Sequence, residues 1–216
     1  DIAARIGIAV PTSYHISSAG DLTGLRGRLH FPIVAKPRSK TARNNFKVRY
    51  LHSFEELASI FAEDQHVASE VLIQEYCPGD GVGVAVLMRK GQPVGLFQHR
   101  RLKELPSTGG VSVMAVAEAP EPALTEQAVS LLRALKWEGV AMVEFRRDAD
   151  RRAVLMEVNG RYWGSLSLAV QAGMDFPLYQ WQLAHRESPL VPTSYAVGMR
   201  WRWIAGDFAR LHGMFT

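Results

Sequence analysis

Read from the N-terminus, the alternation of apolar runs and polar breaks predicts a short helical tail over residues 1–10, built on Ile2-Ala3-Ala4-Arg5-Ile6 and broken by Pro11-Thr12. Tyr14-His15-Ile16 reads as a short strand, and Asp21 to Leu29 as a short helix weakened by Gly24 and Gly27. Phe31-Pro32-Ile33-Val34-Ala35-Lys36-Pro37 reads as a buried strand that delivers Lys36 at its end, with both prolines where a strand tolerates them. Residues 38–47 are polar and aperiodic, and read as a mobile loop carrying Arg38, Lys40, Arg43 and Lys47. A second strand spans Val48 to Leu51. Ser53-Phe54-Glu55-Glu56 then has the form of a capping box opening a helix whose apolar stripe is Leu57, Ile60 and Phe61. Val71 to Tyr76 is another strand, and Cys77-Pro78-Gly79-Asp80-Gly81 a hinge.

Beyond the hinge the pattern turns to β. Val82 to Met88 and Val94 to His99 form a hairpin about Lys90-Gly91, Arg100-Arg101-Leu102-Lys103 follows, and Pro106-Ser107-Thr108-Gly109-Gly110 is a loop before a strand from Val111 to Val116. Leu124, Ala128, Leu131, Leu132 and Leu135 fall at helical spacing within Ala123 to Trp137. A second hairpin follows, Gly139 to Phe145 and Val154 to Arg161 about a charged turn. Two helices, Tyr162 to Ala172 and Phe176 to Arg186, flank Gly173-Met174-Asp175. The whole is α+β in two lobes, residues 1–76 and 77–216.

The second hairpin carries the sharpest chemistry. Folded about its turn, Glu144 and Glu157 lie nearly opposite. Glu144 shares a face with Met142, Glu157 shares one with Asn159, and Val143, Phe145, Met156 and Val158 point into a core. Directly opposed strand residues have Cα atoms about 4.5–5.5 Å apart, and like charges so placed are destabilising. A cation, a shared proton or a basic side chain must offset them. Two carboxylates and an Asn amide oxygen make a hard, oxygen-only set that suits magnesium, and Arg161 follows at once. The bland alternative is a surface hairpin with solvated glutamates, but both glutamates sit inside apolar runs.

Composition narrows the classes. The 216-residue chain is 47% hydrophobic, enough for a real core, and its net charge of +4 is spread out rather than gathered into a basic arm. A single Cys77 excludes an internal disulfide framework and fits a reducing, cytoplasmic setting. No apolar stretch reaches the roughly 20 residues that span a bilayer. Both ends look cut, which suggests a piece of a longer polypeptide with an upstream domain.

Lys36, closing an apolar strand, is the strongest cation, and Lys40, Arg43 and Lys47 are either phosphate clamps or the charges of a solvated loop. His99-Arg100-Arg101 sets three cationic donors at a strand end, fit to hold an anionic substrate. The Gly79, Gly81, Gly83 spacing invites a dinucleotide reading, which fails because a strand follows and no helix N-terminus is there to take a pyrophosphate. No Ser/His/Asp arrangement and no Cys/His set of zinc spacing is evident.

These residues together resemble the ATP-grasp fold, in the branch related to carbamoyl-phosphate synthase and D-alanine ligase. The resemblance rests on Ile33-Val34-Ala35-Lys36-Pro37, Leu72-Ile73-Gln74-Glu75-Tyr76-Cys77-Pro78-Gly79, Val143-Glu144-Phe145 and Met156-Glu157-Val158-Asn159-Gly160-Arg161, and covers nearly the whole chain. It implies two α/β lobes with antiparallel sheets and ATP held between them. It implies Lys36 and Lys47 on phosphates, and Gln74, Glu75, Tyr76 and Cys77 around adenine. Asp80 stands near where family members place a ribose-binding Glu. Glu144, Glu157 and Asn159 are implied as ligands of magnesium, with manganese as the substitute ion. Arg161 is implied to face the γ-phosphate or acyl phosphate, and with Arg101 and His99 makes the catalytic set. The loop after Lys36 departs from the family in having no Gly from Arg38 to Lys47.

The function so implied is the ATP-binding portion of an ADP-forming carboxylate–amine (or thiol) ligase. Its partners would be a small-molecule carboxylate and amine, with neither nucleic acid nor membrane, and a homodimer is compatible with it. The alternatives are an ATP-grasp phosphotransferase, a non-catalytic ATP-binding module, and a basic nucleic-acid-binding domain. The last is disfavoured because Glu144 and Glu157 would repel a phosphate backbone.

Overall fold

The computed structural model describes residues 2–16, 19–37, 48–63, 71–106 and 109–212. They fall into two compact units, one of Pro11–Cys77 and one of Asp1–Val10 with Pro78–Thr216. The expected loop at 38–47, with Lys40, Arg43 and Lys47, lies outside the described residues.

In the Pro11–Cys77 unit, β1 (Ser13–His15), β2 (Ile33–Pro37), β3 (Arg49–Leu51) and β4 (Val71–Glu75) form an antiparallel sheet of order β1-β4-β2-β3. Ile33, Ala35, Leu51, Val71 and Ile73 turn one face to α2 (Ala19–Gly24) and α3 (Phe54–Glu63), packing on Leu22, Leu57, Ile60 and Phe61. The helix expected from Asp21 to Leu29 stops at Gly24. Helix α3 begins as the capping pattern requires: Ser53 Oγ accepts the Glu56 N–H at 3.1 Å. The Glu56 carboxylate reaches back to the His52 N–H at 2.8 Å, one residue before the usual capping-box donor.

The larger unit is built on a six-stranded antiparallel sheet of order β10-β7-β6-β5-β8-β9. Its strands are β5 (Asp80–Arg89), β6 (Gln92–Leu105), β7 (Val111–Glu118), β8 (Gly139–Arg147), β9 (Ala153–Asn159) and β10 (Arg200–Arg202). Val82, Val84, Val86, Met88, Ala141, Val143 and Phe145 point to one face. There α4 (Pro122–Ala134) covers them with Leu124, Ala128, Leu131 and Leu132. Ala85, Leu87, Phe97, Val140 and Met142 point to the other, beneath α5 (Leu166–Gln171) and α6 (Phe176–Ala184). The expected alternation therefore holds along β5 and β8, with both faces buried over this length.

Four expectations change. The first ten residues pack with the larger sheet: Ala3 and Ile8 join the α4 core, α1 (Ile2–Arg5) sits there too, and the Leu155 N–H reaches Ala9 O at 2.9 Å. Strand β6 runs on past His99 to Leu105, because it has β7 to pair with over that length. The helix expected over Tyr162 to Ala172 is confined to Leu166–Gln171. The Trp163 ring is buried against Phe176, 5.4 Å between centroids, and Gly164 follows it, a poor helix former. Finally, Met156 does not pair as a core residue. The β8–β9 register shifts after Glu144↔Glu157 so that Phe145 faces Leu155, and Leu155 enters the core in its place. The segment at Trp201 forms β10 and leads into α7 (Ile204–His212).

Candidate functional site

The register of four strands assembles the site. Gly83 on β5 faces His99 on β6 and Glu144 on β8, and Glu144 faces Glu157 on β9. One row across the sheet thus reads His99–Gly83–Glu144–Glu157. The row before it reads Phe97–Ala85–Met142–Asn159 and is apolar until its last member. The face under α5 and α6 therefore turns from hydrocarbon to charge within two residues along each strand. There a cleft of about 160 Å³ opens, lined by His99, Arg101, Ser112, Met142, Glu144, Glu157, Asn159, Arg161, Trp163 and Ser165 among others.

The two glycines in this part of β5 make the approach possible. A Cβ on Gly83 would lie 2.4 Å from His99 Cε1 and 3.0 Å from Met142 Sδ, and one on Gly81 would lie 2.9 Å from Arg101 Cδ. With no side chain at Gly81 or Gly83, Arg101 reaches from β6 to β8 and its Nη2 donates to Glu144 Oε2. Arg101 Nη1 donates to Glu104 Oε1 and to Gly110 O, both at 3.1 Å, and Arg146 Nη2 reaches Glu104 Oε2 at 2.8 Å.

The repulsion between Glu144 and Glu157 is offset here by protein groups. Asn159 Nδ2 donates to Glu144 Oε1 at 2.9 Å and to Glu157 Oε1 at 2.8 Å, and Arg101 takes the other Glu144 oxygen. Glu144 is buried, at 9% exposure, whereas Glu157 is open to solvent. Burial pushes the Glu144 carboxyl above its usual range, Arg101 opposes that, and Glu157 adds to it.

Glu144, Glu157 and Asn159 fit a hard divalent cation. The carboxylates converge from facing positions, one is desolvated, and the amide that now offers its nitrogen to both would offer Oδ1 after a half-turn of its terminal torsion. Among the described residues no group of three or more His, Cys, Asp or Glu has a metal-holding arrangement, so a cation here would depend on Asn159 and on oxygens brought by a ligand.

His99 differs from expectation. It is 1% exposed, and burial, helped by the Arg101 charge and opposed by Glu118, holds its pKa down at about 3. It is a neutral imidazole stacked on Phe97 with Nε2 3.4 Å from Ser165 Oγ, not a cationic donor. Arg100 leaves the triplet too, since strand alternation sends it through the sheet to Glu118 (2.6 Å) and Asp80 (3.2 Å). Only Arg101 of the three brings charge to the cleft. Arg161 lines it from the end of β9, with Nη1 on Tyr162 O at 2.9 Å.

In the Pro11–Cys77 unit, Lys36 Nζ donates to Gln74 Oε1 at 2.7 Å, and Gln74 Nε2 donates to Ser13 Oγ at 3.0 Å. Val34 faces Gln74 in the register, so Lys36, two residues on, is its diagonal neighbour on the same face. Two residues expected on the nucleotide are thus already side by side. Glu75 is exposed at the end of β4, Tyr76 packs edge-on to Tyr50 at 5.9 Å, and Cys77 is half-buried. Sequence reading passed over Glu104, Arg146, Ser112 and Ser165. The available signal was Gly81 and Gly83, since glycine inside a strand marks a close approach from outside it.

Two antiparallel α/β units, with facing glutamates, an asparagine and an arginine on the last hairpin of the larger sheet, define the ATP-grasp fold. The chain belongs to the family described as ATP-grasp in the biosynthetic pathway with Ter operon, whose model matches residues 67–206. It is 24% identical over 169 residues to a D-alanine–D-alanine ligase of Neisseria meningitidis serogroup B, covering 71% of this chain and 53% of that protein. The fold is shared with the biotin carboxylase–beta-gamma-ATP complex of Campylobacter jejuni, at a TM-score of 0.70 and 16% identity, over 92% of this chain and 47% of that one. It is shared also with the D-alanine–D-alanine ligase of Bacillus anthracis complexed with ATP, at a TM-score of 0.59 and 20% identity, over 86% and 62%. The chain spans about half the length of that Neisseria ligase. Among the described residues no helix is long and apolar enough to cross a membrane.

Proposed function

We propose that this chain is the ATP-binding portion of an ADP-forming ligase that joins a carboxylate to an amine or thiol through an acyl phosphate. The observation that carries the reading is the pairing of Glu144 with Glu157, bridged by Asn159 in the same cleft as Arg101 and Arg161. Glu144, Glu157 and Asn159 would hold magnesium, or manganese in its place, and the ion would neutralise charge on the β- and γ-oxygens of ATP. Arg161 and Arg101 carry planar donor forks, which suit a phosphoryl group and an approaching carboxylate. Neutral His99 packs against the Gly83 backbone and lines the same cleft as Arg101. Lys36, Lys47, Gln74, Glu75, Tyr76, Cys77 and Asp80 are the nucleotide residues of this reading, and the Lys36–Gln74 contact keeps two of them in register. Its chemistry is positioning and charge neutralisation rather than covalent catalysis by a side chain.

A non-catalytic nucleotide-binding module is the second reading. What favours it is that Arg101 and Asn159 hydrogen-bond both Glu144 oxygens and Asn159 also donates to Glu157.

The test uses the full-length polypeptide, magnesium–ATP and a panel of carboxylates labelled with heavy oxygen. Label in inorganic phosphate, with ADP as the other product, supports the ligase. Label in AMP overturns both the mechanism and the role given to the hairpin. A rise in melting temperature that needs magnesium and ATP together, with no product from any carboxylate, supports the module instead.

A further inference from the structure

Strand β6 does not run regularly past Arg101. Its register against β7 slips on both sides of Lys103, from Arg101↔Ala115 to Lys103↔Met114 to Glu104↔Ser112. Unbroken alternation would set Lys103 beside Arg101 and send Glu104 to the opposite face. The slip instead sends Lys103 to Asp207, at 3.7 Å, and brings Glu104 round to Arg101, at 3.1 Å. Irregularities of this kind re-aim single side chains beside active sites. Glu104 is itself fixed, by Arg146 at 2.8 Å, and it lies 3.2 Å from where a Gly81 Cβ would stand. The Arg101 guanidinium is thus divided: Nη1 on Glu104 and the Gly110 carbonyl, Nη2 on Glu144.

Glu144 is the carboxylate that a cation would claim, so Nη2 is the half of the fork that loses its partner. We infer that Glu104 is a positioning residue: it keeps Arg101 in the cleft through Nη1 while Nη2 passes from Glu144 to an oxygen of the anionic substrate. The inference rests on the reading of Glu144 as a metal ligand. Its consequence is positive coupling between magnesium–nucleotide and the anion, carried by a guanidinium that one ligand frees and the other takes. Without the Glu104 charge, Nη1 keeps only neutral acceptors such as the Gly110 carbonyl, the freed guanidinium is held less firmly in the cleft, and the coupling is lost.

Inorganic phosphate serves as the probe, because an acyl phosphate presents the same oxygens. Its binding to the full-length protein is measured by calorimetry with and without saturating magnesium–ADP. In the unaltered protein, magnesium–ADP should tighten phosphate about tenfold, the worth of one charge-assisted hydrogen bond. Glu104→Gln should keep its magnesium–ADP affinity and lose that coupling, Glu104→Asp should regain part of it, and Glu104→Gln should add nothing in an Arg101→Met background. Coupling in Glu104→Gln equal to that of the unaltered protein overturns the inference. If Glu104→Gln fails to fold, Glu104→Asp decides by the same comparison. Magnesium–ADP binding with no effect on phosphate overturns the inference alone, and failure of the unaltered protein to bind magnesium–ADP overturns the metal reading with it.

Discussion

The burial of His99 makes the stability of the protein depend on pH in a direction that can be worked out. An imidazole has a pKa of about 6.5 in an unfolded chain, and in the fold it is held down at about 3 by burial and the Arg101 charge. Between those values the unfolded chain binds a proton that the native protein does not. Stability from this group is therefore full above pH 6.5 and is lost as pH falls towards 3. At pH 5 the unfolded chain is favoured by about one and a half pK units, which converts to a loss of about 2 kcal/mol relative to pH 7. Glutamine in place of His99 keeps a polar group near Ser165 Oγ without the titration. Urea denaturation of the two proteins at pH 7 and pH 5 isolates the term, because every other titrating group is common to both. The unaltered protein should lose about 2 kcal/mol more than His99→Gln between the two pH values. Equal losses would mean that His99 is protonated in the fold, and would return it to the cationic role that its sequence neighbours suggested.

Gly83→Ala drives a methyl to 2.4 Å from His99 Cε1 and should cost about 1–3 kcal/mol in urea denaturation. Trimming His99 to Ala in the same chain should return most of that loss, and an unchanged loss would refute the steric account. Glu157→Gln removes one of two facing carboxylates while Asn159 keeps an oxygen to donate to. Its melting temperature without an ion should hold or rise, and magnesium-dependent nucleotide binding should disappear. Binding retained at full strength would remove Glu157 from the metal site. Ser53→Ala deletes the acceptor of the Glu56 N–H and should destabilise α3 by about 1 kcal/mol, read from the denaturation midpoint by circular dichroism.

The elements of the fold were legible because their causes are local. Ser53 with Glu56, the prolines flanking Ile33 to Lys36, the period of Leu124 to Leu132 and the turn between Phe145 and Val154 each act within a few residues. The opposition of Glu144 and Glu157 was legible for the same reason: a hairpin is the one tertiary contact that a turn fixes by itself. Arg101 was singled out as one of three cations at a strand end, but its partner was not. The Arg101–Glu144 contact spans 43 positions and depends on β5 lying between β6 and β8 with glycine at the crossing.

What the sequence alone could not decide were parity and burial. One register slip sends Lys103 away and brings Glu104 in, and another exchanges Met156 for Leu155 in the core. A bulge is set by how two paired strands share their hydrogen bonds, and the residues on either side carry no mark of it. The charge of His99 was hidden in the same way. Imidazole titrates near neutrality until neighbouring elements close over it, and what closes over His99 comes from Phe97, Gly83 and Ser165, brought together by the sheet and by the start of α5. Residue type and spacing determined which groups were available for chemistry, and the tertiary structure decided their faces, their partners and their protons. Both follow from physical chemistry, but only the first acts over distances that a sequence records.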